Sequence, residues 1–156
     1  MTVCSRNLWI YLVLGFVLTG CFDPSVANDS QRSVHSVSSC AIDRLIATTA
    51  QEWSVQPEKV VLRGWAFDSI SKTVPEVVKV QLASADGTIV KLSHVATRYQ
   101  RDEVASYYND TRFLHAGFEA VLDANRLAKG SYRLSIAQYT KTSQMVCETN
   151  RVLQVR

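Results

Sequence analysis

Whatever chemistry this 156-residue chain can do rests on four cysteines and on one dense group of aromatic and basic side chains. A thiol can be acylated, can pair into a disulfide or can hold a soft metal. Cys21 closes an uncharged apolar run that begins just after Arg6, whereas Cys40 and Cys147 lie far apart in the remainder. No CxxC or HxxxH spacing accompanies them, so no metal site is expected. The second group spans residues 94–115 and holds His94, Arg98, Tyr99, Arg101, Tyr107, Tyr108, Arg112, Phe113 and His115. Tyrosine rings stack on sugar faces and anchor protein interfaces, and arginine forks grip carboxylates or phosphates. Tyr99, Arg101, Tyr107, Tyr108 and Arg112 are therefore the candidate binding residues. The competing reading is that the rings close one end of the folded body and the arginines tie down a helix.

Catalysis has weaker support. Nucleophilic chemistry needs a hydroxyl or thiol beside an oriented base, and no G-x-S-x-G elbow arranges the serines and histidines present. Glycan cleavage needs two carboxylates across a cleft. Asp102, Glu103 and Asp110 form the acidic cluster near aromatics, but adjacent positions seldom face one substrate together, and a solvated helix face is the simpler reading. No phosphate loop or dinucleotide fingerprint occurs, so neither catalytic residue nor cofactor is assigned.

The elements that carry these residues begin with a leader. A charge at Arg6, an apolar core from Leu8 to Leu18 and small residues before Cys21 make a secretion signal. The uncharged stretch from Asn7 to Phe22 falls short of the roughly 20 apolar residues that a spanning helix requires. Leu18-Thr19-Gly20-Cys21 resembles the lipobox of bacterial lipoproteins. That resemblance implies cleavage before Cys21, a thioether-linked diacylglycerol on its sulfur and acylation of its freed amine. The chain then divides into a signal peptide at 1–20, a lipidated cysteine with a Ser-rich flexible tether at 21–39, and a domain at 40–156. Two or more acyl chains hold a protein on a membrane where one would let go. Phe22, and not Asp, follows the cysteine, with Asp23 one position later, which by the sorting pattern of enteric bacteria favours the outer over the inner membrane.

With Cys4 lost in the leader and Cys21 acylated, Cys40 and Cys147 remain. In an exported protein such a pair is expected to form a disulfide. Charge excludes one class of partner: 17 Lys and Arg stand against 14 Asp and Glu, and loss of Arg6 leaves a net charge of +2. This balance does not suit nucleic acid.

From Cys40 onward the chain reads as short strands separated by turns. Residues 59–67, 76–84, 88–95, 117–122, 131–139 and 144–155 carry β-branched and aromatic residues with period-two alternation. Val78, Val80 and Leu82 share one face, as do Phe118, Ala120 and Leu122, and Tyr132, Leu134 and Ile136. Ser84-Ala85-Asp86-Gly87 signals a hairpin turn, 101–108 a helix, and 124–129 a second helical turn with Gly130 as its C-terminal cap. Trp65 and Phe67 have the opposite parity to Val60 and Leu62, which predicts a bulge at Gly64 returning all four to the core. The alternative places Trp65 on the outer face under a covering element. Trp53 is a further candidate for an exposed contact. The pattern as a whole is all-β: a single antiparallel sandwich with one or two short helical segments, a small closed barrel being the alternative.

The runs Leu62-Arg63-Gly64-Trp65-Ala66-Phe67-Asp68, Arg101-Asp102-Glu103-Val104-Ala105, Ala116-Gly117-Phe118 and Leu127-Ala128-Lys129-Gly130-Ser131-Tyr132-Arg133 resemble the Ig-like β-sandwich modules of bacterial envelope and polysaccharide-related proteins. Asp102 stands where that pattern has Pro, and Glu103 where it has Asp. The resemblance implies a non-catalytic accessory module and names no ligand. The expectation is a membrane-anchored binding or assembly module whose partner is an envelope protein or polysaccharide. A purely structural envelope lipoprotein is the alternative, and a small periplasmic hydrolase a weaker one.

Overall fold

The computed structural model describes residues 33–36, 39–141 and 143–156, and residues 31–156 form one compact unit. The signal peptide and Cys21 lie outside the described residues. The unit is all-β. Its strands are β1 (Ser33–Ser36), β2 (Cys40–Ile46), β3 (Ser54–Val55), β4 (Lys59–Ala66), β5 (Val77–Ser84), β6 (Val90–Tyr99), β7 (Gly117–Asp123), β8 (Gly130–Tyr139) and β9 (Ser143–Val155). Between β6 and β7 lie the helix α1 (Asp102–Tyr107) and a 3-10 turn, Thr111–Phe113.

Where the sequence suggested two stacked antiparallel sheets, hydrogen bonding joins the strands in one curled, mixed path ordered β1-β9-β8-β5-β6-β7-β4-β2, with β3 added on β9. The joint is β6: Val90 to Ala96 pair with β5, and Thr97 to Tyr99 pair with β7. Both β1 and β3 run parallel to β9. The four residues of β1 fall inside the segment read as tether, so ordered pairing starts before Cys40. The Cys40–Cys147 disulfide spans a sequence separation of 107 and links β2 at one end of the path to β9 near the other.

Alternation places the core as the sequence predicts. Val60, Leu62, Val78, Val80, Leu82, Phe118, Ala120, Leu122, Leu134 and Ile136 are fully or almost fully buried, with Tyr132 close behind. Each large apolar side chain so buried stabilises the fold by about 1.5–3 kcal/mol before entropy is counted. The tight turn after β5 holds Gly87 at φ +78°, a conformation glycine adopts without a Cβ penalty.

Three local expectations are corrected. The register of β4 against β7 runs unbroken from Lys59 to Trp65, so Gly64 is not bulged. The extra residue sits opposite, in β2, where pairing jumps from Ile42↔Gly64 to Arg44↔Arg63 and leaves Asp43 unmatched. Gly64 serves close approach instead: a Cβ there would meet the Ala41 carbonyl oxygen at 2.0 Å and the Phe118 ring at 2.7 Å. Gly130 opens β8 and caps nothing, because the turn before it is a short 3-10 segment, Ala124–Arg126, that ends at Leu127 in extended backbone. Finally, β6 runs four residues past its expected end, which puts Arg98 and Tyr99 on a strand.

With β4 straight, Trp65 lies on the outer face and Phe67 follows just after the strand. Together with Val74, Val104, Phe113 and Ala116 they form a second apolar cluster beneath α1 and the 3-10 turn. The covering element that lets an aromatic sit on an outer face is thus the helix itself.

Candidate functional site

The segment 94–115 is split by the fold into three environments. Arg98, on the inward side of β6, is turned into the end of the curled sheet. Its Nη1 donates to the carbonyls of Ala66 and Ala116 at 2.9 Å each, and Nη2 and Nε donate to that of Pro75 at 2.7 and 3.2 Å. Burial pushes its pKa down to about 10, since a low-dielectric setting disfavours charge. Its role is to close this end, joining the last residue of β4, the loop before β5 and the residue just before β7.

Arg101 lies across the outer face over Gly117, where a Cβ would meet its Cγ at 2.6 Å. Its Nη2 donates to Asp43 Oδ2 at 2.8 Å, Nε to the Glu103 carboxylate and Nη1 to the Tyr99 hydroxyl at 3.2 Å. Burial works against its charge, but the Asp43, Glu103 and Tyr99 bonds more than offset this and raise its pKa. Glu103 is held below the usual carboxylate range by the Arg101 bond. This glutamate, where the resembled pattern has aspartate, still pairs with the arginine. The N-cap of α1 is Arg101 and has no side-chain capping bond, so pairing and not capping is what Glu103 does. A shallow depression beside this network is lined by Asp43, Arg44, Arg63, Tyr99, Arg101 and Glu103. Arg63 donates to Glu119 at 2.6 Å across β4 and β7.

The third environment is α1 and its turn. Tyr108 meets Trp65, Phe67 and Phe113 edge-on at ring separations of 5.7, 4.9 and 5.8 Å, and Phe67 stacks on Phe113 at 3.8 Å. Burial raises the Tyr108 phenol pKa, and Tyr107 adds to the rise. Tyr107 itself is 82% exposed. Arg112 grips Asp110 with Nε at 2.9 Å and Nη2 at 2.7 Å, and Asp110 is held below the usual carboxylate range chiefly by that grip. His94 and His115 are exposed.

Of the five candidate binding residues, the structure brings Tyr99 and Arg101 together in one network and Tyr107 and Tyr108 together at the C-terminal end of α1, as its last residue and its C-cap, with Arg112 on the adjoining turn. Tyr107 is the one whose side chain is committed to little else. Trp53 is half-buried under the Arg151 guanidinium at 4.8 Å, so it is a packing residue rather than an open contact. Sequence reading missed Asp43, which only the β2 bulge brings to Arg101, and Ile70, which is 86% exposed at the tip of the loop between β4 and β5. The opposite charges of Arg63 and Glu119, at outward positions of two strands, were the legible signal for that pair.

Among the described residues no group of His, Cys, Asp or Glu is placed to hold a metal ion, and no helix is long and apolar enough to cross a membrane. No family model, curated protein or solved structure matches the chain.

Proposed function

We propose that this protein is a non-catalytic lipoprotein of the bacterial cell envelope, anchored through lipid on Cys21 in the outer membrane, whose domain acts as a binding or assembly module. The contact surface is the α1 end, centred on Tyr107. The observation that carries this reading is how charge is used there: Arg101 and Arg112 are engaged with Asp43, Glu103 and Asp110, leaving an exposed aromatic over a closed apolar cluster. That arrangement supports recognition over bond-breaking chemistry, which needs an ionisable group turned toward substrate. The lipobox-like run, the Cys40–Cys147 disulfide and the resemblance to Ig-like envelope modules support the compartment and the accessory role.

The test is in-cell photocrosslinking from position 107 in the lipidated protein. The reading expects crosslinks at 107 and none from an exposed apolar position at the opposite end, such as Ile89. Equal crosslinking at both ends would overturn it. A purely structural envelope role is favoured by one feature, the use of Arg98 and Arg101 as internal ties. It expects no crosslinked species from either position.

A further inference from the structure

The strand register shows which end of the domain the tether enters. Ser33 pairs with Ser143 at the start of β9, Gln144 with Tyr139, and Tyr139 with Val77. On the other half of the sheet Cys40 pairs with Ala66, Trp65 with Gly117, and Gly117 with Tyr99. These residues all lie at the end that carries α1, the 3-10 turn and the loop 68–73. The placement does not depend on β1 alone, because β2 also starts here and the Ser39 carbonyl accepts from Phe67 N at 3.1 Å.

Two of the most exposed large apolar or aromatic side chains, Ile70 at 86% and Tyr107 at 82%, lie at this same end, with Val77 at 42% and Tyr108 at 39%. The loop presenting Ile70 is shaped by the Asp68↔Thr73 bridge and by Ile70 N donating to Asp68 Oδ1 at 2.8 Å. Lys72 on that loop lies close enough to Asp110 to act on its carboxyl, so loop and helix turn are neighbours. Charge at this end is mixed, with Lys72, Arg101, Arg112 and Lys141 set among Asp68, Glu76, Asp102, Glu103 and Asp110.

We infer that the partner of the α1 end is the lipid surface that holds the protein's own anchor, with Ile70 and Tyr107 seated among the headgroups. The inference rests on the lipid-anchor reading above. Residues 22–32 separate Cys21 from Ser33 and reach at most about 40 Å when fully extended, so the acyl chains hold this end near the bilayer. The far end, with the Ser84–Ile89 turn, stands about 30 Å further off along ten-residue strands. Tyrosine is favoured at the membrane–water boundary, where its ring and hydroxyl meet their respective solvents. Acyl chains supply one membrane signal and the apolar end a second, weaker one. Because charge at this end is balanced, seating depends little on anionic lipid or on salt.

The mature lipidated protein has no free thiol under this account, so a single introduced cysteine carries an environment-sensitive dye. Ile70→Cys, Tyr107→Cys and Ile89→Cys proteins are labelled and reconstituted into phosphatidylcholine vesicles, with and without headgroup-level quencher lipid. The expected result is several-fold dye brightening and strong quenching at 70 and 107, unchanged in 0.5 M salt (roughly a 4 Å screening length), and neither effect at 89. Equal responses at all three positions, or none at 70 and 107, would overturn the inference. So would burial of 70 and 107 by a soluble envelope protein or polysaccharide without any response to vesicles. The mass of the amino-terminal peptide from the same preparation reports the anchor independently. Acylated protein with silent dyes refutes the seating alone, and an unacylated amino terminus refutes the anchor whatever the dyes report.

Discussion

Tyr107 and Tyr108 are adjacent in sequence and opposite in role, and alanine at each should separate folding from recognition. Tyr108 makes three edge-on contacts with Trp65, Phe67 and Phe113 at 4.9 to 5.8 Å. Such pairs contribute roughly 0.5–1.5 kcal/mol each beyond the area they bury. Losing all three and part of the apolar cover over Phe67 should cost about 2–4 kcal/mol. For a domain of this size that is a fall in Tm of roughly 8–15 °C. Tyr107 keeps one ring contact, with Tyr108 at 5.0 Å, and is 82% exposed, so Tyr107→Ala should stay within about 0.5 kcal/mol of the parent. Thermal unfolding followed by near-ultraviolet circular dichroism measures both, and vesicle seating reported by the dye at Ile70→Cys measures function. The expected pattern is a destabilised Tyr108→Ala protein and a stable Tyr107→Ala protein that has lost its contact. Equal destabilisation by the two substitutions would refute the division of labour on α1, as would full retention of contact by Tyr107→Ala.

Gly64→Ala should lower stability by about 2 kcal/mol or more, since the added methyl meets backbone at 2.0 Å; an unchanged Tm would show that β2 and β4 are not so closely apposed. Reduction of Cys40–Cys147, which are separated by 107 in sequence, should cost up to about 4.7 kcal/mol and depress Tm by up to roughly 18 °C. A thiol assay on the unreduced mature protein should find no free cysteine. Asp86 accepts from Ser84 and from Thr88 N, which brings its pKa from an ordinary 3.8 to about 2. A carboxyl depressed in the folded state stabilises above its unfolded pKa and loses that contribution as pH falls through the folded one. The parent should therefore be more stable than Asp86→Asn at pH 5, with the gap closing as pH drops from about 4 toward 2; a gap constant over that window would contradict the hairpin geometry.

The strands were readable because their buried faces alternate in sequence. Val78, Val80 and Leu82 announce a core face without any knowledge of their partners. The path of the sheet was not, because which strands pair depends on contacts remote in sequence, and a β6 shared between β5 and β7 leaves no mark in its own residues. Gly64 illustrates the same limit. A glycine in a strand signals either a bulge or a close approach, and the choice was made by Ala41 and Phe118. Chemistry in residues 94–115 was legible as composition, while its partition was not. Arg98 and Arg101 differ by three positions, yet one is turned inward onto carbonyls and the other outward onto Asp43, a partner supplied by a bulge in β2.

The membrane anchor depends on what residue 21 becomes in the cell. Intact-mass and peptide mass spectrometry of the membrane-extracted protein should find an amino terminus at Cys21 carrying diacylglycerol on sulfur and a further acyl chain on nitrogen. A chain beginning at Met1, or a Cys21 that reacts as a free thiol, would contradict it.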